Sequence, residues 1–126
     1  MLDTEQEHFV CDSISVVELE DEIDIATARD VHTRLTEKVA HGCVVADLGA
    51  VAFIDASGVN ALVGAMREAA RESRHFCLAA PPRQLRRILD VLSLHSVMPT
   101  HRDADAALAA HARCGRGPGR VPRQKV

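Results

Sequence analysis

The sequence predicts an α/β domain with a mixed β-sheet, and three observations carry that expectation. Short β-branched, apolar stretches such as ISVVELE (14–20) and CVVADLG (43–49) have the composition of strands. Longer stretches between them repeat apolar residues three and four apart, as helices with one buried stripe do. The alternation of the two kinds argues for parallel strands joined by helical crossovers. A short apolar segment, HFV (8–10), ahead of Asp12-Ser13 adds an antiparallel hairpin at the start.

Taken in order, 14–20 is the first long strand, and Ala28, Val31, Leu35 and Val39 mark the first helix. Thr27, three residues before Asp30, has the spacing of a capping box, and Gly42 suits a helix stop. A buried-type strand follows at 43–49. Val59, Leu62, Val63 and Met66 then define a helix over 57–72. His75–Ala80 reads as a strand. Pro81-Pro82 open a helix whose stripe is Leu85, Ile88, Leu89 and Leu92. VMPTH (97–101) is an edge strand, since Pro99 is poorly tolerated centrally. DADAALAAHA (103–112), capped by Asp103, is the fourth helix, and the Gly/Pro/Arg-rich residues 113–126 form a disordered basic tail outside the 1–112 domain.

Composition narrows the function. With 126 residues and 47% apolar content there is one domain with a real core. That core is built from Ala, Val, Leu and Ile, because Trp and Tyr are absent and only Phe9, Phe53 and Phe76 are aromatic. Base stacking and carbohydrate platforms are thereby disfavoured. Residues 1–28 hold nine acids and no Lys or Arg, whereas 113–126 hold five basic residues and no acid. Such runs are solvated faces by default; the sharper reading is an acidic end that meets a basic partner, and no direct nucleic-acid role is expected. Cys11, Cys43, Cys77 and Cys114 form no CxxC and no Cys/His ligand spacing, so neither a metal nor a cofactor is expected. Cys43 and Cys77 lie in apolar runs and are read as buried thiols. Without an apolar signal core or a membrane-length apolar run, the chain reads as cytoplasmic, with no membrane partner.

The most informative stretch is AFIDASGVNAL (52–62), where Ser57 opens a helix behind Asp55. Ser57 could be an N-cap, a nucleophile or a phosphoacceptor. As a cap, its Oγ would accept from an amide two or three residues on, worth about 1 kcal/mol. As a nucleophile it lacks a G-x-S-x-G elbow and an evident base among the seven histidines, so a small serine or cysteine enzyme is the least favoured alternative. As a phosphoacceptor it would place a phosphate at a helix N-terminus, whose amides and dipole suit an anion. Gly58 beside it would remove bulk and let another protein's active site approach.

VVADLGAVAFIDASGVNAL (44–62) resembles the signature of STAS domains in bacterial anti-sigma factor antagonists, in which D-S-S-G-[LVI] opens a helix. LEDEIDIATA (19–28) is similar to that family's L-x-G-E-[LI]-D-x-x-[TS]-A, and PPRQLRRILDVLSL (81–94) to its P-x-x-x-[VL]-x-R-[LI]-L-x-x-x-G-L helix. The resemblance covers about residues 8–112. It implies a STAS-like mixed sheet packed with about four helices, and a non-enzymatic regulator that switches between partners. Unphosphorylated, it would bind an anti-sigma factor with a kinase-like ATPase fold and free the sigma factor. That partner would phosphorylate Ser57, and a separate serine phosphatase would reverse the step.

Carried over by residue, the resemblance makes Ser57 the phosphoacceptor. Asp55, Ala56, Gly58 and Asn60 become the partner-binding residues around it, with Asp24 on the adjoining surface and Asp47 as the acid near the end of the preceding strand. A STAS scaffold that never sees phosphate is the alternative. The sequence departs from the pattern at Ala56, which leaves one hydroxyl, and at Asp21 and Ser93, which stand where the family has Gly. A turn glycine there would supply a positive φ that Asp tolerates less well.

Overall fold

The computed structural model describes residues 13–114. Four strands, β1 (Ile14–Ile23), β2 (Cys43–Ile54), β3 (Phe76–Ala79) and β4 (Thr100–His101), alternate with helices α1 (Ala28–Val39), α2 (Ala56–Arg71), α3 (Arg83–Val91) and α4 (Ala104–Cys114). The sheet order is β1-β2-β3-β4. Every pairing among these strands is parallel. The mixed sheet is therefore corrected to a parallel one among the described residues, because each strand is followed by a helix that returns the chain to the same end. The expected hairpin arm, 8–10, and the tail from 115 lie outside the described residues; α4 itself continues to Cys114, two residues past the expected boundary.

Period-two alternation divides the core between the two sheet faces. Val17, Leu19, Val44, Ala46, Phe76 and Leu78 pack with the stripes of α1, α2 and α3, including Leu35, Leu62 and Leu85. Ile14, Val16, Cys43, Val45, Cys77 and Ala79 face α4 through Ala104 and Ala107. Cys43 and Cys77 are buried and form no disulfide, and burial pushes the Cys77 thiol up to about 12. It therefore stays protonated and inert.

The strands of the first pair run longer than their apolar stretches indicate. β1 reaches Ile23 and β2 reaches Ile54, with two register shifts, between Glu18 and Glu20 and between Asp21 and Glu22. At each shift β2 carries one extra residue, a bulge arrangement that bends the pair without ending it. Asp21 adopts φ 63° there, and Ser93, closing α3, adopts φ 55°. Both positions where glycine was expected thus retain the left-handed backbone that makes glycine favourable. Leu92, expected in the core stripe of α3, is instead 56% exposed, since the helix ends at Val91 and the stripe stops at the buried Leu89.

Candidate functional site

Parallel pairing aligns the ends of β1 and β2, with Ile23 opposite Ile54. The chain leaves these ends through Asp24 and Asp55, and the Asp55 amide donates to the Ile23 carbonyl at 3.1 Å. Asp24 organises its own loop. Its Oδ1 accepts from the amides of Ala26 (3.0 Å) and Thr27 (3.3 Å), while Thr27 Oγ1 donates to the Glu22 carbonyl and accepts from the Asp24 amide. Thr27 consequently makes no side-chain cap bond to α1, and the expected capping box does not form. The hydroxyl is used upstream, where it ties the loop to the strand end.

At α2 the cap is Asp55, not Ser57. Asp55 has an extended backbone (φ −109°, ψ −170°), and its Oδ1 accepts from the Gly58 amide at 3.1 Å. The Val59 amide donates to the Asp55 carbonyl at 2.9 Å. Because β2 continues to Ile54, the helix begins two residues earlier than a serine cap requires, and Ser57 becomes its second residue. Ser57 is half-buried and Ala56 exposed. Replacing Asp55 with alanine is expected to destabilise the domain by about 1 kcal/mol, the usual cost of losing an acidic N-cap. Thermal unfolding measures it, and an unchanged midpoint would show that the cap contributes nothing.

Gly58 has a different role from the one its neighbourhood suggests. It is buried and faces inward; a Cβ there would meet Ile54 Cγ1 at 2.5 Å and both Ile23 Cγ2 and the Ile23 carbonyl oxygen at 2.8 Å. The glycine lets the first turn of α2 rest on the paired strand ends. It does not open a path to Ser57 from outside.

A groove of about 410 Å³ runs between the first turns of α2 and the helix α3, and Ala56, the chain neighbour of Ser57, is one of its lining residues. Asp55, Ala56 and Asn60 line it together with Phe53, Ile88 and Leu92. Phe53 is 43% exposed, and Ile25, on the Asp24 loop, is 82% exposed. Three of the expected partner-binding residues, Asp55, Ala56 and Asn60, thus line this groove, whereas Gly58 is buried against Ile23 and Ile54, and Asp24 stands at the adjoining strand end. Asp47 is half-buried within β2, where its Oδ1 accepts from the Gly49 amide at 3.0 Å. Ile25, Phe53 and Leu92 were not legible as surface residues. Their only signal is apolar side chains at the edges of elements, which strand and helix patterns assign to the core. The result is a helix start whose Gly58 amide is held by the Asp55 carboxylate, a second carboxylate at Asp24 on the neighbouring strand end, and an apolar groove beside them.

The model of the STAS domain family matches residues 8–107. No curated protein is matched. Among solved structures, the chain is similar to an anti-sigma factor antagonist from Mycobacterium paratuberculosis, with 29% identity, a TM-score of 0.69, and coverage of 80% of this chain and 87% of that one. It also resembles the Bacillus cell fate determinant SpoIIAA in its phosphorylated form, with 20% identity, a TM-score of 0.63, and coverage of 77% and 90%. A sulfate transporter family protein from Wolinella succinogenes shares the fold at 17% identity, a TM-score of 0.64, and coverage of 82% and 88%. Among the described residues no helix is long and apolar enough to cross a membrane.

Proposed function

The chain belongs to the STAS domain family, and from that premise we propose that it is an anti-sigma factor antagonist switched by phosphorylation of Ser57. The observation that carries the reading is the division of labour at α2: Asp55 caps the helix, leaving the Ser57 hydroxyl without that duty, one residue along the chain from the groove-lining Ala56. The similarity to an antagonist from Mycobacterium paratuberculosis supports the partner class.

In the unphosphorylated state, Asp24, Asp55 and Asn60 contact an anti-sigma factor with a kinase-like ATPase fold, whose apolar side chains enter the groove, and the sigma factor is released. In this switch the protein is the kinase's substrate and supplies no catalytic group of its own. In the transfer step the partner holds ATP, and Ser57 Oγ attacks the γ-phosphorus. The new O–P bond forms as the bond from that phosphorus to the β,γ-bridging oxygen breaks. ADP leaves, and the hydroxyl proton passes to a base of the kinase. The phosphoserine carries about −1.5 to −2 charges beside Asp55. Docking would bury that charge against carboxylates, so the complex separates until a serine phosphatase hydrolyses the ester.

The test is incubation with the cognate kinase and ATP, followed by mass spectrometry. One phosphate is expected on the wild-type chain and none on Ser57→Ala. That variant should stay within about 0.5 kcal/mol of wild-type stability, as a half-exposed residue outside the cap should; the loss of about 1 kcal/mol that goes with a cap belongs to Asp55. Phosphate on Ser57→Ala would move the acceptor elsewhere. A wild-type chain that binds the kinase and is never phosphorylated would favour the second reading, a STAS interaction module without a phosphate switch.

A further inference from the structure

At the opposite end of the sheet from Ser57, three side chains remote in sequence meet. Cys43 begins β2, His75 immediately precedes β3, and His111 lies in the last turns of α4. The parallel register pairs Val44 with Phe76, which sets Cys43 and His75 side by side on the face that α4 covers. On α4 the stripe Ala104, Ala107 packs on that face, and the next position of the same stripe is His111. An imidazole therefore occupies a place where the helix pattern calls for a small apolar residue.

The donor atoms of Cys43, His75 and His111 all lie within 4.8 Å of one another. Cys43 Sγ is 3.6 Å from His75 Nδ1, and the two imidazoles meet edge to face at 5.1 Å. His111 is only 8% exposed, yet neither of its ring nitrogens has a hydrogen-bond partner among the described residues. Leaving such a group unsatisfied costs about 1–3 kcal/mol, so an unpaired buried imidazole aimed at a thiol and a second imidazole is itself an indication of a missing ligand.

We propose that Cys43, His75 and His111 bind a zinc-type divalent cation through one thiolate and two imidazole nitrogens. A tetrahedral zinc site holds its donors about 3.3–3.8 Å apart, from bonds of about 2.0–2.3 Å, so the widest separation in the cluster closes by roughly 1 Å on binding. The His75 amide donates to Cys43 Sγ at 3.2 Å, the kind of outer contact that steadies a metal thiolate. His75 and His111 line a cavity of about 540 Å³ that admits the ion and leaves room for a water as fourth ligand. Arg74 shares that wall, and the thiolate charge compensates for bringing a cation beside it. Local spacing gave no hint of this cluster, because 32 and 36 residues separate its members and only the register unites them.

The full chain, stripped of metal with a chelator, is expected to take up one equivalent of Zn²⁺ in calorimetric titration. His111→Leu replaces the unsatisfied ring with an apolar side chain of similar size and should stay folded by circular dichroism. It should bind Zn²⁺ at least about a hundredfold more weakly, beyond the effect of losing an outer-shell contact alone. With Co²⁺ as the probe, wild type should show thiolate-to-metal charge-transfer absorption. Cys43→Ser should lack that absorption and Cys77→Ser, a buried thiol outside the cluster, should keep it. Unchanged Zn²⁺ affinity in His111→Leu would overturn the proposal, and so would a cobalt complex of wild type without a thiolate band or a band that persists in Cys43→Ser. Should Cys43→Ser fail to fold, His111→Leu decides alone.

Discussion

Gly58→Ala is expected to lower stability by about 2–3 kcal/mol, the upper range for overpacking a core, even though alanine is the better helix former. The added methyl would sit 2.5 Å from Ile54 Cγ1 and 2.8 Å from the Ile23 carbonyl oxygen. Ile23 and Ile54 are themselves fully buried at the paired strand ends, so neither side chain has room to retreat. The backbone of α2 must lift away, which stretches both the Asp55 amide bond to Ile23 and the Asp55 cap on Gly58. A gain in helix propensity of up to about 1 kcal/mol does not offset this. Thermal unfolding should show a midpoint roughly 10–20 °C lower, at about 4–8 °C per kcal/mol for a domain of this size. A midpoint within a couple of degrees of wild type would mean that the first turn of α2 is not seated on the strand ends. Because this effect is internal, it also separates the packing role of Gly58 from any role in partner access.

Ser57→Asp and Ser57→Glu should weaken binding to the anti-sigma factor by at least roughly thirtyfold, or about 2 kcal/mol, while leaving the fold intact. A carboxylate supplies about half the charge of a phosphoserine. A full switch from 99:1 to 1:99 needs about 5.5 kcal/mol, so a partial effect is the expected one. The charge falls beside the Asp55 carboxylate and on the margin of a groove that docking would dehydrate. Folding is affected in the opposite sense: an acid in the first turn of a helix interacts favourably with its dipole, by about 0.3–1 kcal/mol. Wild-type or higher melting temperature together with lost binding is therefore the signature of an electrostatic switch. Equal affinities for wild type and both acidic variants would remove the switch.

Placing the cap on Asp55 changes how the Ser57 substitutions are to be interpreted. If Ser57 were the cap, its alanine variant would lose stability and partner control together. With Asp55 as the cap, the two effects belong to different residues and can be measured apart. The same separation applies to the two ends of the sheet. β2 runs twelve residues from Cys43 to Ile54, roughly 35 Å at strand rise before its bulges shorten it, so variants at His111 and at Ser57 act on well-separated sites.

Much of this protein was written in local pattern. The stripes of α1 and α2, the Asp103 cap, whose Oδ1 accepts from the Ala106 amide at 2.8 Å, and the buried thiols of Cys43 and Cys77 all follow from residues within a few positions of one another. The packed structure alone decided the rest. That β2 extends to Ile54, and so hands the cap to Asp55, depends on ladder bonds to β1. That Gly58 turns inward depends on Ile23, thirty-five positions earlier. That Cys43, His75 and His111 converge depends on the register of β2 with β3 and on which face α4 covers. Side-chain periods of two and 3.6 specify which face of an element is buried, whereas which residues meet across elements is set by strand register and close packing between segments distant in the chain.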